Sequence, residues 1–182
     1  ALWRYLADGT LDGTFGTVES GVSVHDNAAG GMEDDGGEAV TLDAGGRVIV
    51  AGYSTNARGD LDMAVWRYDP TGSLDTTFGP NGRGFFAHDN AGGALLHDEG
   101  QAVAVDAQGR ILVAGFTTSV QGGLDLALWR LTTHGLLDTT FNNRGFVVHH
   151  GAAGGSSSDS AAGIVVDAAG KIVVVGASYN AK

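Results

Sequence analysis

The chain has 182 residues, of which 31 are glycine, two are proline and none is cysteine, and its formal net charge is −11 at pH 7. This acidic balance excludes electrostatic binding to nucleic acid or to an anionic membrane. The lack of cysteine excludes disulfides, thiolate catalysis and zinc–thiolate sites. Hydrophobic residues make up 43% of the chain, which is enough for a packed core. No apolar run approaches the ~18 residues of a membrane span.

Three copies of one unit make up the sequence. A Trp-Arg pair recurs every 63 residues, at Trp3, Trp66 and Trp129. The third copy is two residues shorter than the others, in the stretch before its repeated histidine. We therefore predict one repeat domain over residues 1–182, with copies at about 1–62, 63–125 and 126–182.

Each copy contains four strand-like runs. The first surrounds the tryptophan (ALWRY, AVWRY, ALWRL), and the second ends at a histidine (VSVH, FFAH, FVVH). The third and fourth are small apolar runs, such as QAVAVD and RILVAGF, joined by Asp-Ala-x-Gly-Arg/Lys. That linker is typical of a tight hairpin, in which Asp bonds the turn amides and Gly adopts a positive φ. No stretch shows a helical period, so almost no helix is expected.

Nearly continuous apolar strands indicate sheets that are covered on both faces. Small four-stranded sheets packed face to face make a β-propeller, so we predict an all-β propeller with three four-stranded blades in the chain. A parallel β-helix fits less well, because its coils are shorter than this repeat and lack tight hairpins. A β-sandwich would not need the same unit three times.

The strings ALWRL, LDTTFG and VDAQGRILVAGF resemble the delta-60 repeat, which occurs in tandem in large bacterial proteins that are often exported. The resemblance covers essentially the whole chain, and its most specific mark is the LDxTF motif of each copy. It implies a propeller-like repeat in an exported or cell-surface protein. The family has no recognised catalytic residues, so the resemblance implies none here.

Three blades raise a problem of closure. Closed propellers use about four to eight blades, so three would leave a sheet edge and two apolar faces open to water. We expect a second chain to complete a six-bladed ring, as a homodimer. The alternative is a longer array of the same repeats that supplies the missing blades, and the sequence leaves open whether the chain is part of one.

Two sets of residues recur identically and are predicted to be structural, because a catalytic site in a ring is usually made once from unlike residues. The LDxTF aspartates are suited to bond turn amides together with the following Thr. The tryptophans are expected to pack between blades, with the adjacent Arg pairing with a repeated Asp. These residues are Asp12, Asp75, Asp138, Trp3, Trp66 and Trp129.

A repeated histidine and the aspartate ten residues after it are the ligand or channel candidates. If both face the propeller axis, a six-bladed ring would bring six of each to one channel, where imidazole and carboxylate could bind a cation. The alternative is that each His ends a strand and bonds a neighbouring loop. The third copy departs from the His-Asp-Asn pattern, which weakens a symmetric metal site. The candidates are His25, His88, His149, Asp35, Asp98 and Asp159.

The sequence specifies no cofactor. The acidic loops at 30–38 and 58–62 have the oxygen-rich composition that Ca²⁺ prefers, but they lack the EF-hand spacing, and solvated loops account for them. No nucleotide-binding Gly loop or nucleophile elbow is found. The sequence favours a non-enzymatic binding or scaffolding module. The alternative is a hydrolase or lyase with acids at the channel mouth, where the first copy has the additional Glu33, Asp34 and Glu38.

Overall fold

The computed structural model describes residues 1–16, 21–155 and 158–180. Within these ranges the chain forms twelve β-strands and one short 3₁₀ turn, Pro80–Gly82, so the prediction of an all-β fold is confirmed. In the described part of the chain, no helix is long and apolar enough to cross a membrane. The strands are β1 (Leu2–Trp3), β2 (Val22–Ser23), β3 (Gly30–Leu42), β4 (Val48–Asn56), β5 (Leu61–Tyr68), β6 (Phe85–His88), β7 (Gly93–Val105), β8 (Ile111–Ser119), β9 (Leu124–Leu131), β10 (Phe146–His149), β11 (Asp159–Val166) and β12 (Ile172–Ser178).

The sheets straddle the sequence copies. Two complete antiparallel sheets have the orders β3-β4-β5-β6 and β7-β8-β9-β10, and we call them blade 1 and blade 2. In each, the first two strands end one copy and the last two begin the next. The two-stranded sheets β1-β2 and β11-β12 are the N-terminal and C-terminal half-blades. The fold is a β-propeller of four-stranded blades, but of the three four-stranded blades predicted only two are complete among the described residues, and a two-stranded half-blade lies at each end of the chain.

The strands β3, β7 and β11 lie innermost. They contact one another from blade to blade, whereas β6 and β10 form the opposite edges of their sheets. The three segments that connect β2 to β3, β6 to β7 and β10 to β11 therefore run from the outer edge of one sheet to the inner edge of the next. We call these segments the crossover loops.

The apolar core lies between the blades. Ile49 and Met63 of blade 1 share a buried cluster with Val113 and Trp129 of blade 2. A second cluster joins the other face of blade 1 to the N-terminal half-blade, where Leu2 packs against it. Because both faces of a blade are covered, its middle strands have no polar face.

The Asp-containing hairpin forms in all three copies as predicted. Asp43, Asp106 and Asp167 each accept hydrogen bonds from the amides two and four residues further on. The glycine three residues after each Asp has a φ between 74° and 78°, which is the left-handed region that glycine adopts without strain. The strand predicted to end at His25 is shorter than expected, because β1 offers β2 only two residues for pairing.

Candidate functional site

The arginine of each Trp-Arg pair binds the LDxTF turn that follows. We call this contact, made by Arg4, Arg67 and Arg130, the arginine clamp. The arginine Nε donates to the aspartate eight residues later at 2.8 Å in all three copies. Its guanidinium lies 4.4–4.6 Å from the centre of the motif's phenylalanine ring. The other carboxylate oxygen accepts from the amide and the hydroxyl of the Thr two residues on. Asp12, Asp75 and Asp138 are thus fully engaged in holding turns.

Two of the candidate histidines bond the tryptophan of the following blade. Trp66 Nε1 donates to His25 Nδ1 at 3.1 Å, and Trp129 Nε1 donates to His88 Nδ1 at 3.3 Å. Burial lowers the pKa of both imidazoles, which favours the neutral form whose Nδ1 can accept this hydrogen bond. His88 and His149 end β6 and β10, which form the edges of their sheets opposite the innermost strands β3 and β7.

The candidate aspartates lie on the innermost strands, at the other end of each crossover loop. One oxygen of each accepts the amide of a left-handed residue in that loop, namely Asn27, Asn90 or Gly151. The second oxygen is buried and has no hydrogen-bond partner among the described residues. The carboxylates concerned are those of Asp35, Asp98 and Asp159.

The pKa values of Asp98 and Asp159 are shifted in opposite directions. Burial raises the pKa of Asp98, which lies between the two complete blades, to about 6. In the C-terminal half-blade, the Ser178 hydroxyl holds the pKa of Asp159 below its ordinary value. The third crossover loop also has a different bond, between His150 Nδ1 and Asp125 Oδ1 at 2.5 Å, which raises the pKa of His150.

Residues 1–16, 21–155 and 158–180 contain no group of three or more His, Asp or Glu side chains that could hold a metal ion. Residues 30–38 form the first part of β3, and Arg58 of the second acidic loop pairs with Asp89 at 2.6 Å. Of the first copy's additional acids, Glu33 and Asp34 are exposed. Glu38 lines a groove beside the N-terminal half-blade.

Two of the three innermost strands, β3 and β7, begin with a bulge that the sequence does not predict. Residues 31–34 of β3 stand opposite Thr55 alone, and residues 94–97 of β7 stand opposite Thr118 alone. We call these two segments the inner-strand bulges. Their only sign in the sequence is that the stretch before the repeated Asp differs between copies.

The bases of the bulges are fixed while their tips are exposed. The hydroxyls of Thr55 and Thr118 donate to the carbonyls that close the two bulges, and His97 Nδ1 accepts the amide of Leu61 in blade 1. Met32 and Leu95 nevertheless point apolar side chains into solvent. Leu95 also has a φ of 53°, a left-handed conformation that is rare for a bulky residue. The bulges are therefore anchored loops with apolar tips at one end of the propeller.

The sheets, their repeated clamps and their anchored bulges define a β-propeller repeat domain. A family model described as a domain of unknown function (DUF5122) beta-propeller matches residues 46–78 and 108–141. Each matched segment runs from a hairpin turn through the Trp strand to the LDxTF motif. The chain is thus similar to a family of propeller-like repeats.

A search of the curated proteins found no match. Among solved structures, the chain is similar to a fucose lectin from Kordia zhangzhouensis in complex with methyl-fucoside. The two are 16% identical, with 74% of this chain and 78% of that chain covered and a TM-score of 0.38. A TM-score at this level carries no sugar recognition over to this chain.

Proposed function

We propose that this domain is a non-enzymatic binding module of an exported or surface-located bacterial protein, and that the inner-strand bulges form its binding face. The observation that carries the proposal is Leu95, an exposed leucine held in a left-handed conformation at the tip of an anchored bulge. The bacterial and exported context rests on the resemblance to the delta-60 repeat.

Strain at an exposed apolar residue points to contact with a ligand. A non-glycine residue in the left-handed region costs about 1–3 kcal/mol. Leu95 is not part of the buried core that could offset this cost, because about half of its surface is exposed. Selection for folding alone favours glycine or asparagine at such a position. Selection for an apolar contact explains the leucine.

The two bulges also differ in sequence, whereas the repeated residues around them are the same. The first bulge reads Met32-Glu33-Asp34, and the second reads Leu95-Leu96-His97, although the clamps, hairpins and tryptophans around them are the same. A rigid scaffold that presents variable loops is the usual arrangement of a binding domain. With a net charge of −11, the module is suited to a partner that offers an apolar patch and basic groups.

The repeated polar residues support binding rather than acid–base catalysis. The LDxTF aspartates are engaged by arginine and turn amides. His25 and His88 accept hydrogen bonds from tryptophan indole N–H groups. Asp98 has a pKa raised to about 6, but its side chain is buried beneath the crossover loop and out of reach of a substrate.

The proposal is tested by selecting a displayed random-peptide library on the immobilised domain. We expect enriched peptides that combine aliphatic or aromatic residues with Lys or Arg. Leu95→Gly should weaken their binding at least tenfold and, by relieving the strained backbone, stabilise the fold by about 1 kcal/mol. The matched control is Leu136→Gly, because Leu136 is similarly exposed (47% against 51%) but lies at the other end of β9. Peptides that bind both variants as well as the parent protein would show that the bulges are not the binding face.

A further inference from the structure

The two half-blades are complementary parts of one blade. The N-terminal half-blade has the outer pair of strands, equivalent to β5 and β6, and the C-terminal half-blade has the inner pair, equivalent to β3 and β4. In blades 1 and 2 these pairs join through β4–β5 and β8–β9. Within the described ranges, neither β1 nor β12 has a strand at the edge where that join would form.

Apolar side chains that are buried in the complete blades are exposed in the half-blades. Val173 and Val175 of β12 are 56% and 66% exposed, whereas the equivalent Ile49 and Ala51 of β4 are buried. These two residues of β4 belong to the core between blades 1 and 2. The exposed valines of β12 are therefore half of a blade-to-blade core that lacks its other side.

A groove beside the N-terminal half-blade has the apolar lining that those valines would pack against. It has a volume of about 270 Å³ and is lined by residues that include Leu2, Val40 and Val50. The equivalents of Val40 and Val50 in blade 2 are Val103 and Val113, and both pack in the core that contains Ile49 and Ala51. The groove thus stands where the inner strands of a preceding blade would lie, and residues of the Val173 and Val175 type would fill it.

A second cavity, at the C-terminal half-blade, matches Trp3. Its volume is about 260 Å³, and its lining includes Leu126, His149 and Ala152. The equivalents of these three residues in the preceding copy are Met63, His88 and Ala91. Met63 and Ala91 share the core cluster of Trp129, and His88 accepts the hydrogen bond of its indole. The cavity is therefore the tryptophan slot of the next junction.

Trp3 is the tryptophan that lacks such a slot. It is 55% exposed, whereas Trp66 is 4% exposed. Each end of the chain thus offers both a side chain without a cavity and a cavity without a side chain. The contacts that would match them are the ones that the chain already uses between its own blades, so the junction would continue an existing interface.

We propose that a second copy of this chain occupies both ends, with β12 of each copy pairing with β1 of the other. The register follows from Val50 opposite Trp66 and Val113 opposite Trp129. It places Val174 opposite Trp3 and Val175 opposite Leu2. The indole of Trp3 then donates to His149 Nδ1 of the second copy. Two copies joined at both ends contain four complete blades and two split blades, which is a closed six-bladed ring.

The first test is the mass in solution, measured by light scattering after size exclusion at micromolar concentration. We expect a mass of two chains of 18.5 kDa each. Val175→Asp should reduce it to one chain, because the carboxylate would enter an apolar groove. The control is Val120→Asp, since Val120 is equally exposed (64%) but lies at the turn after β8, away from both junctions. It should leave the mass at two chains.

The other outcomes contradict the proposal. A mass of one chain for the parent protein would mean that the split blade is filled by other repeats or by nothing. A mass of three or more chains would mean that the ends join without closing at six blades. A two-chain mass that survives Val175→Asp would place the dimer contact elsewhere.

The second test fixes the register. Because the chain has no cysteine, the double variant Leu2→Cys with Val175→Cys introduces the only thiols. Mild oxidation should convert it to a disulfide-linked dimer on a non-reducing gel. Leu2→Cys with Val120→Cys is the control and should stay monomeric on the gel. Equal cross-linking of the two variants would overturn the proposed pairing. Neither test involves the bulge tips that carry the proposed binding function.

Discussion

Replacing Asp98 by Asn is expected to remove about 3 kcal/mol of pH dependence from the free energy of unfolding. Asp98 is buried on the innermost strand of blade 2, and burial raises its pKa from 3.8 to about 6. Between these two values, the folded state keeps a proton that the unfolded state has released. The contribution of Asp98 to stability is therefore fully present below the unfolded pKa and is lost as the pH rises through about 6.

The magnitude follows from the size of the shift. A rise of about two pKa units corresponds to about 3 kcal/mol, at ~1.4 kcal/mol per unit. The Asn variant has no titrating group, and its amide oxygen can still accept the hydrogen bond from the amide of Asn90. Any fixed effect of the new amide group is the same at every pH. The difference between the two proteins therefore has to change with pH.

The assay is urea unfolding followed by tryptophan fluorescence, repeated in steps from about pH 3 to about pH 7. Asp75→Asn is the control, because its pKa is shifted the other way. Burial alone would raise it, but hydrogen bonds from Thr77 and Arg67 hold the pKa of Asp75 below its ordinary value. Asp75 therefore stabilises the fold above the unfolded pKa and loses that contribution as the pH falls. A constant difference between the parent protein and Asp98→Asn, or a trend of the same sign as for Asp75→Asn, would refute the reasoning.

Two further pairs of substitutions test the repeated framework by comparing equivalent or similar positions. Arg67→Ala should lower the free energy of unfolding by about 3 kcal/mol, because it removes the closer of the two arginines that pair with the mostly buried Asp75 carboxylate and leaves only Arg47, at 3.6 Å. Arg4→Ala removes the same clamp at the half-exposed N-terminal copy and should cost about 1 kcal/mol or less; equal losses in urea unfolding would contradict this. Gly115→Ala would place a Cβ 1.8 Å from a carbonyl oxygen of the neighbouring strand and should cost about 1–3 kcal/mol. Gly45→Ala, whose Cβ would have its nearest contact at 3.3 Å, should change the melting temperature far less.

The strands and hairpins were predictable because their signals are local. A tryptophan strand, an Asp-containing turn and an apolar run each lie within about a dozen residues. The assignment of strands to sheets is not predictable in this way, because a division of the sequence at Trp3, Trp66 and Trp129 places all four strands of a blade in one copy. The short link between β4 and β5 shows that the apolar run pairs with the next copy's tryptophan strand. Link length was thus a better guide to sheet membership than repeat identity.

The site was predictable only in part, because its contacts are distant in sequence. The bond from Trp66 to His25 spans 41 residues and joins two sheets, so no local pattern marks it. The bulges depend on pairing register, since four residues stand opposite one only after β3 and β4 have paired. The exposed Leu95 could be found in the sequence, but its left-handed backbone could not.

Because each blade boundary falls inside a sequence copy, the number of copies and the chemistry of the ends are independent. Any chain made of whole copies starts with an outer strand pair and finishes with an inner pair, whether it holds two copies or ten. Duplication or loss of one 63-residue segment in a gene would add or remove one blade per chain, and so two blades in the proposed ring of two chains, and would leave both ends unchanged. The proposed ring could therefore grow or shrink in steps of two blades, without any new contact surface having to arise.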